Sequence, residues 1–538
     1  MKRIFDIIRK RLRLFILGWV VFMVVVLGVR LAQGPIRVDG IRSIIISRLE
    51  AQLPHTEASI RHLDLVWFGD ARAVGFRFED LIITDRQHRI IARAGRMEAA
   101  LAADSLIVAH FAPARLTAED FFVAASVSKE GRYDLGYEAH GKPGRTSGLA
   151  RFFYDLTGPE KLGQPVSFTR QLSLKNGQLR LIQEGAPLDW TANVSTVDFT
   201  KLHGKLTAHT ALSIDGLGIE AGAPATFKAE ASGMVGLAHA SISANLHNLV
   251  PSRVFPSVGL TRALAGINAP VDGLTRVDYS QKKGFEGAAF DIRAAAGRID
   301  IGDFHQPFNE ARIRANYTSA THTAQFDTFR VKSRMLDTDL KGAVIVRPGD
   351  AKAKRDMALS FNFTGPRVTA RLADDFALQT LTNARLRGSY VPRQRRLHIE
   401  SVTGLINGAP LQSQGVVYTD DTGELGADLT AQIKGRFTKE EVFAFWPEDL
   451  SPNTRANLIE RIRGGDFANA DFVLKAEPGD FHNLENEDLR LDFDFENLEL
   501  YLEQRLHNAT GLRGHGILLG NSFAMDVSGG RLVDVNLI

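Results

Sequence analysis

The sequence contains no cysteine. That absence excludes a disulfide framework, thiolate-bound zinc, iron–sulfur clusters and cysteine nucleophiles together. Tryptophan and tyrosine are scarce, 4 and 8 residues against 33 phenylalanines in 538. Phenylalanine fills apolar surface without a polar tip that needs a partner, so this usage suits strand cores or an interior facing lipid. A basic body is missing too. The formal charge is +3, but Lys2, Arg3, Arg9, Lys10, Arg11 and Arg13 against Asp6 put +5 on the first thirteen residues and leave −2 on the rest. Nucleic acid needs a positive surface to neutralise its phosphates, so no nucleic-acid partner is expected.

Catalytic patterns are equally thin. Neither G-x-S-x-G nor H-E-x-x-H occurs. Gly136 to Lys142 has P-loop spacing, but Pro143 stands where a Ser or Thr would hold magnesium. His55 and His62 are seven apart, wrong for one helical face. Asp492, Asp494 and Glu496 follow one strand face at about 7 Å steps, a spacing that could hold a cation or an acid pair. Leu491, Phe493 and Phe495 take the other face, which makes the ladder a solvated outer surface. The reading is a chain that is not an enzyme, with no catalytic residue, cofactor or metal.

One long hydrophobic run is present. Leu14 to Val29 carries no charge, and Leu31 and Ala32 extend it past Arg30. That length approaches what a hydrocarbon core of about 30 Å requires. Residues 14–32 are therefore read as a retained membrane anchor, with Leu14, Phe15, Trp19, Phe22, Val25 and Val29 in the bilayer. The basic tail 1–13 keeps the N-terminus cytoplasmic and leaves the bulk of the chain on the far side. Residues 37–53 follow as an amphipathic helix with Ile41, Ile45 and Leu49 on one face, stopped by Pro54.

From about Ile60 the period becomes two. Val74-Gly-Phe76-Arg-Phe78, Leu359-Ser-Phe361-Asn-Phe363 and Leu489-Arg-Leu491-Asp-Phe493-Asp-Phe495 alternate apolar with polar or small residues. Each such run makes a strand with one greasy and one wet face. Leu172-Ser-Leu174-Lys-Asn176-Gly177-Gln-Leu179-Arg-Leu181 reads as a hairpin, with 174 opposite 179 and four leucines on one face. Long helices do not alternate with the strands, which excludes a parallel α/β sheet. The expected class is mainly β, an elongated antiparallel sheet with short helical insertions near 250–265 and 439–463. Ser451 and Pro452 open the last helix, with Leu458, Ile459 and Ile462 on one face. An N-terminal β unit at 55–140 and a Gly- and Pro-containing linker at 141–165 precede the main β region, 166–538.

The anchor, Gly34-Pro35, the amphipathic segment and the alternating strands resemble the AsmA-like superfamily of Gram-negative envelopes. Phe445-Trp446-Pro447, the helix 452–463 and Gly464-Gly465, with Asn248-Leu-Val-Pro251 and Ile267-Asn-Ala-Pro270-Val-Asp-Gly273, are similar to its YhdP family. That resemblance implies a bridge-like lipid transporter, held in the bacterial inner membrane by a single pass. A U-shaped or taco-like β-groove would carry phospholipid through the periplasm to the outer membrane, with a partner at its distal end. Phe76, Phe78, Leu172, Leu174, Phe361, Phe363, Phe493 and Phe495 would line it, and Phe445, Trp446 and Pro447 would form a structural lid. Relatives of that family run on past the strand-like end at Ile538, so the chain reads as a truncated member. A second reading stays open: a non-catalytic envelope scaffold or outer-membrane assembly factor whose apolar faces close into an ordinary core.

A topology reporter fused after Gly34 is expected to be active only when it works on the periplasmic side. A soluble mature protein beginning near residue 33 would contradict the anchor.

Overall fold

Strict alternation obliges each strand to present one apolar and one polar face, and the fold is a sequence of such strands laid edge to edge. The computed structural model describes residues 22–537 apart from Val24, Val25, Leu27, 54–55, 103–111, 139–147, 187, 216–223, 259–261, 302–303, 350–355, 372–377, 447–451, 481–483, 503–507, 521 and 533–534. The chain is mainly β, in a mixed sheet that is not closed. It divides into two units, 1–285 and 286–538.

In the first unit His62–Phe68, Ala73–Asp85, Ile90–Leu101 and Pro113–Val127 pair antiparallel in chain order. Pro113–Val127 then pairs in parallel with Gln171–Gln183, Leu116 beside Leu172, an exception to the antiparallel expectation. Asp189–Leu202, Lys205–Ile214, Ala225–Met234, Ala240–Leu249 and Val271–Ser280 continue it antiparallel. A parallel neighbour needs a crossover, and the segment expected as a linker supplies part of it. Its helix Gly148–Thr157 buries Leu156 against Phe199 and Leu206. Lys201, 6% exposed, ties that helix down by donating its Nζ to the carbonyls of Leu156 and Gly158, both at 3.2 Å, and to that of Ser167. The expected 37–53 helix divides into a 3-10 turn, Asp39–Ile41, and an α-helix, Arg42–Gln52. Ile45, Ile46, Leu49 and Leu53 pack on the sheet, whereas Ile41 lies in the turn and stays exposed.

A seam of left-handed residues crosses this unit. Asp80 (φ 48°), Asp120 (φ 53°) and Asn176 (φ 50°) lie inside strands. Asp and Asn are the non-glycine residues that adopt this conformation most readily. Before the seam Phe76 and Phe78 point into the core; beyond it Leu81 and Ile83 do, in the same cluster. Unbroken alternation would send Leu81 and Ile83 to the opposite face. One left-handed residue slips the alternation by one and keeps the greasy face greasy.

This corrects the expected hairpin. Gln171–Gln183 runs as one strand, with Leu174 opposite Val197 and Leu179 opposite Ala192. Asn176 spends its left-handed backbone on the seam, and its amide donates to the Asp120 carboxylate. Gly177 is there for space, because a Cβ would fall 2.2 Å from the Phe121 ring.

The second unit is an antiparallel meander. Gly284–Ala294, Glu310–Thr318, Thr323–Lys332, Leu336–Arg347, Ala358–Ala370, Gln379–Val391 and Arg396–Ile406 each pair with the next. Ala409–Thr419, Leu425–Thr438, Ile462–Ala476, Leu489–Leu500, Ala509–Leu519 and Ser522–Leu532 carry it on. Between Leu425–Thr438 and Ile462–Ala476 the helices Lys439–Phe445 and Pro452–Arg461 are inserted. Thr438 and Glu441 cap the first reciprocally in a capping box. Ser451 lies outside the described residues. Leu458 is buried, Ile459 is exposed, and Ile462 opens the following strand rather than closing the helix. The 250–265 insertion is two short helices, Pro251–Val254 and Arg262–Ala265.

Asn176→Val should cost about 1–2 kcal/mol, since a β-branched residue pays the left-handed penalty in full, while Asn176→Gly should be close to neutral. Urea midpoints of the two variants check this. Equal midpoints would contradict the seam.

Candidate functional site: the apolar sheet face

A contiguous aromatic stretch of the greasy face lies in the second unit. Phe326, Phe329, Phe361 and Phe363 form a ring cluster, with centroids 5.6 Å apart for 326–363, 5.9 Å for both 326–329 and 329–363, and 6.3 Å for 361–363. All four are half-buried. Among the described residues, their strands pair in the ladder with the strands on either side. Glycines of adjacent strands leave space for the rings. A Cβ at Gly342 would sit 2.8 Å from Phe363, and one at Gly388 2.8 Å from Phe361. Gly516 and Gly514 do the same for Phe493 and Phe495, at 2.5 and 2.9 Å. A strand glycine marks close approach by a neighbour, and here an aromatic ring approaches repeatedly, at Gly342, Gly388 and Gly514 together with a still nearer backbone carbonyl.

Phe326 and Phe329 were not singled out from sequence, because three residues apart means opposite faces in a regular strand. The ladder shifts between them: Phe326 pairs with Gly342 and Phe329 with Leu340. That bulge turns both rings to one side. The Phe-x-x-Phe spacing beside facing glycines was the available signal.

Short helices roof other parts of the face. Phe76 and Phe78 lie beneath Arg42–Gln52. Leu172 joins the cluster under Gly148–Thr157, and Leu174 is half-buried on the same strand. Phe495 is 1% exposed, packed with Leu458, Ile462, Phe467 and Leu498. Phe493 stays half-buried between Phe467 at 5.6 Å and Phe523 at 6.2 Å. Trp446 stacks on Phe443 at 6.1 Å and touches two core clusters, and its carbonyl accepts from Arg455 Nε at 3.0 Å. Phe445 ends its helix, and Pro447 lies outside the described residues. The eight lining candidates thus fall into separate groups, only Phe361 and Phe363 belonging to the open ring cluster.

The opposite face is wet and internally paired. Burial alone would raise the Glu98 carboxyl, but hydrogen bonds from Arg96 and Arg77 outweigh it and hold the group below its ordinary value. The acidic ladder is partnered: Asp492 with Arg490 at 2.6 Å, Asp494 with His515 at 3.1 Å, Glu496 with Arg436 at 2.7 Å. Its hydrogen bond to Asp494 raises the His515 imidazole above its usual value. Among the described residues no group of three acidic or histidine side chains could hold a metal ion.

Leu14, Phe15, Trp19 and Val25 lie outside the described residues. Phe22 and Val29 are helical and exposed. Among the described residues no helix is long and apolar enough to cross a membrane. No protein-family model, curated protein or solved structure matches the chain.

Truncating a fully packed ring should cost far more than truncating one on the open stretch. Phe495→Ala should lower stability by about 3–5 kcal/mol and Phe361→Ala by about 1–2 kcal/mol. Denaturant unfolding of both variants measures the difference, and equal losses would mean that the 361 face is packed as tightly as the core.

Proposed function

We propose that the chain carries phospholipid acyl chains on its apolar sheet face, in a U-shaped groove anchored to the bacterial inner membrane through residues 14–32. The body would lie in the periplasm and serve traffic toward the outer membrane. The observation that supports this reading is the contiguous cluster of the half-buried rings of Phe326, Phe329, Phe361 and Phe363 on neighbouring strands. A contiguous apolar surface that is not fully buried is a candidate site for an apolar ligand. Such a function needs no catalytic group, only a lining without charges. The residues beneath fit that need, because a side chain at Gly342 or Gly388 would collide with the rings of Phe363 and Phe361.

A second reading, a scaffold with a closed β core, draws on the roofed regions: Phe495 is packed as a core residue beneath the Pro452–Arg461 helix. The two readings part at the open cluster. A carboxylate there sits in a lipid path on one reading and between packed layers on the other. Phe361→Asp is expected to leave the protease-resistant folded yield near normal while abolishing lipid crosslinking from a photoreactive residue at position 363. Collapse of the folded yield in both Phe361→Asp and Phe329→Asp would favour the scaffold.

A further inference from the structure

The registers of the first unit show which strand ends share an edge. Ile36 pairs with Leu65 and Arg37 with Asp64, so the chain preceding Ile36 leaves the sheet toward the Phe68 end of His62–Phe68. Along the ladder from there, Phe68 lies beside Ala73, Leu101 beside Pro113, Arg115 beside Gln171, and Gln171 beside Thr200. Lys205 carries the edge on, paired with both Leu202 and Met234. The helix Gly148–Thr157 brings its C-terminal end to the same place, where its last carbonyls meet Lys201.

Large apolar side chains stand in the open along this edge. Trp67 is 47% exposed, Leu162 69%, Leu202 62% and Met234 55%, and Phe153 and Tyr154 near the helix end are 53% and 58% exposed. Leu202, Lys205 and Met234 form one cross-strand row, a cation between two apolar tips. The carboxylates Asp70 and Glu160 are taken by Arg115 and Arg170. Arg72, Lys161 and Lys205 are exposed and have no carboxylate partner among the described residues.

We propose that this edge seats on the surface of a bilayer containing anionic phospholipid. Apolar and aromatic tips entering the acyl boundary, with Lys and Arg stems reaching back to headgroups, are the chemistry of an interfacial contact. What selects a bilayer over a protein partner is the chain itself: the apolar run Leu14–Val29 joins this edge through residues 30–35 alone. The inference rests on that run entering the membrane, and adds that the folded unit is held against the surface rather than tethered at a distance.

Because the chain has no cysteine, single-cysteine labelling of the full protein is clean. Val29→Cys, Leu162→Cys, Leu202→Cys and, at the opposite edge, Tyr133→Cys would each carry a bimane label. The probe is quenching by brominated lipid in vesicles of phosphatidylethanolamine and phosphatidylglycerol. Positions 29, 162 and 202 are expected to quench several-fold more strongly than 133. Replacing phosphatidylglycerol by phosphatidylcholine should reduce quenching at 162 and 202 and leave 29 unchanged; no reduction would overturn the anionic preference. Strong quenching at 29 with 162 and 202 no different from 133 would overturn the seating and leave the anchor standing. No quenching at any of these positions would remove the anchor reading and the seating together.

Discussion

Everything in this chain depends on keeping one face of the sheet apolar along strands of ten to fifteen residues. A strand alternates with a period of two and has no memory of which side is inside, so any irregularity inverts it. The chain turns that liability to use. Where a strand must shift, a left-handed Asp or Asn, or a bulge, slips the alternation by one and the apolar residues are rewritten in the opposite parity. Phe78 and Leu81 share a core because Asp80 stands between them. Asn176 holds the same left-handed backbone in Gln171–Gln183, and a ladder shift stands between Phe326 and Phe329.

Flat packing of phenylalanine over glycine is the second element of the design. A ring above a neighbour's glycine fills the space a side chain would have taken, and it shields backbone that glycine leaves bare. The pairs Phe121 with Gly177, Phe363 with Gly342, Phe361 with Gly388 and Phe493 with Gly516 repeat that arrangement in both units. Tyr418 over Gly426 makes the same contact with a tyrosine.

Much of this was legible in the alternating runs. The mainly β class, the helix that covers the first strands and the insertions near 250–265 and 439–463 all follow from period, caps and prolines. What misled was chemistry that serves two purposes. Asn176-Gly177 is the strongest short hairpin signal, yet the same left-handed preference serves a seam inside a continuous strand, and only the neighbours Asp120 and Phe121 decide between them. Gly- and Pro-containing sequence at 141–165 looked like a linker, but the apolar face of its helix, led by Leu156, packs onto the sheet. Phe326 and Phe329 were hidden because a bulge leaves no mark in the alternation that it interrupts.

The central claim is that the open apolar face is filled by lipid rather than by protein. Mass spectrometry of lipids retained by the full chain after mild detergent extraction and purification tests it most directly. The account predicts phospholipid in near-stoichiometric amounts, falling sharply when Phe361 is replaced by Asp in a protein that remains folded. A chain that purifies folded and free of lipid would contradict it.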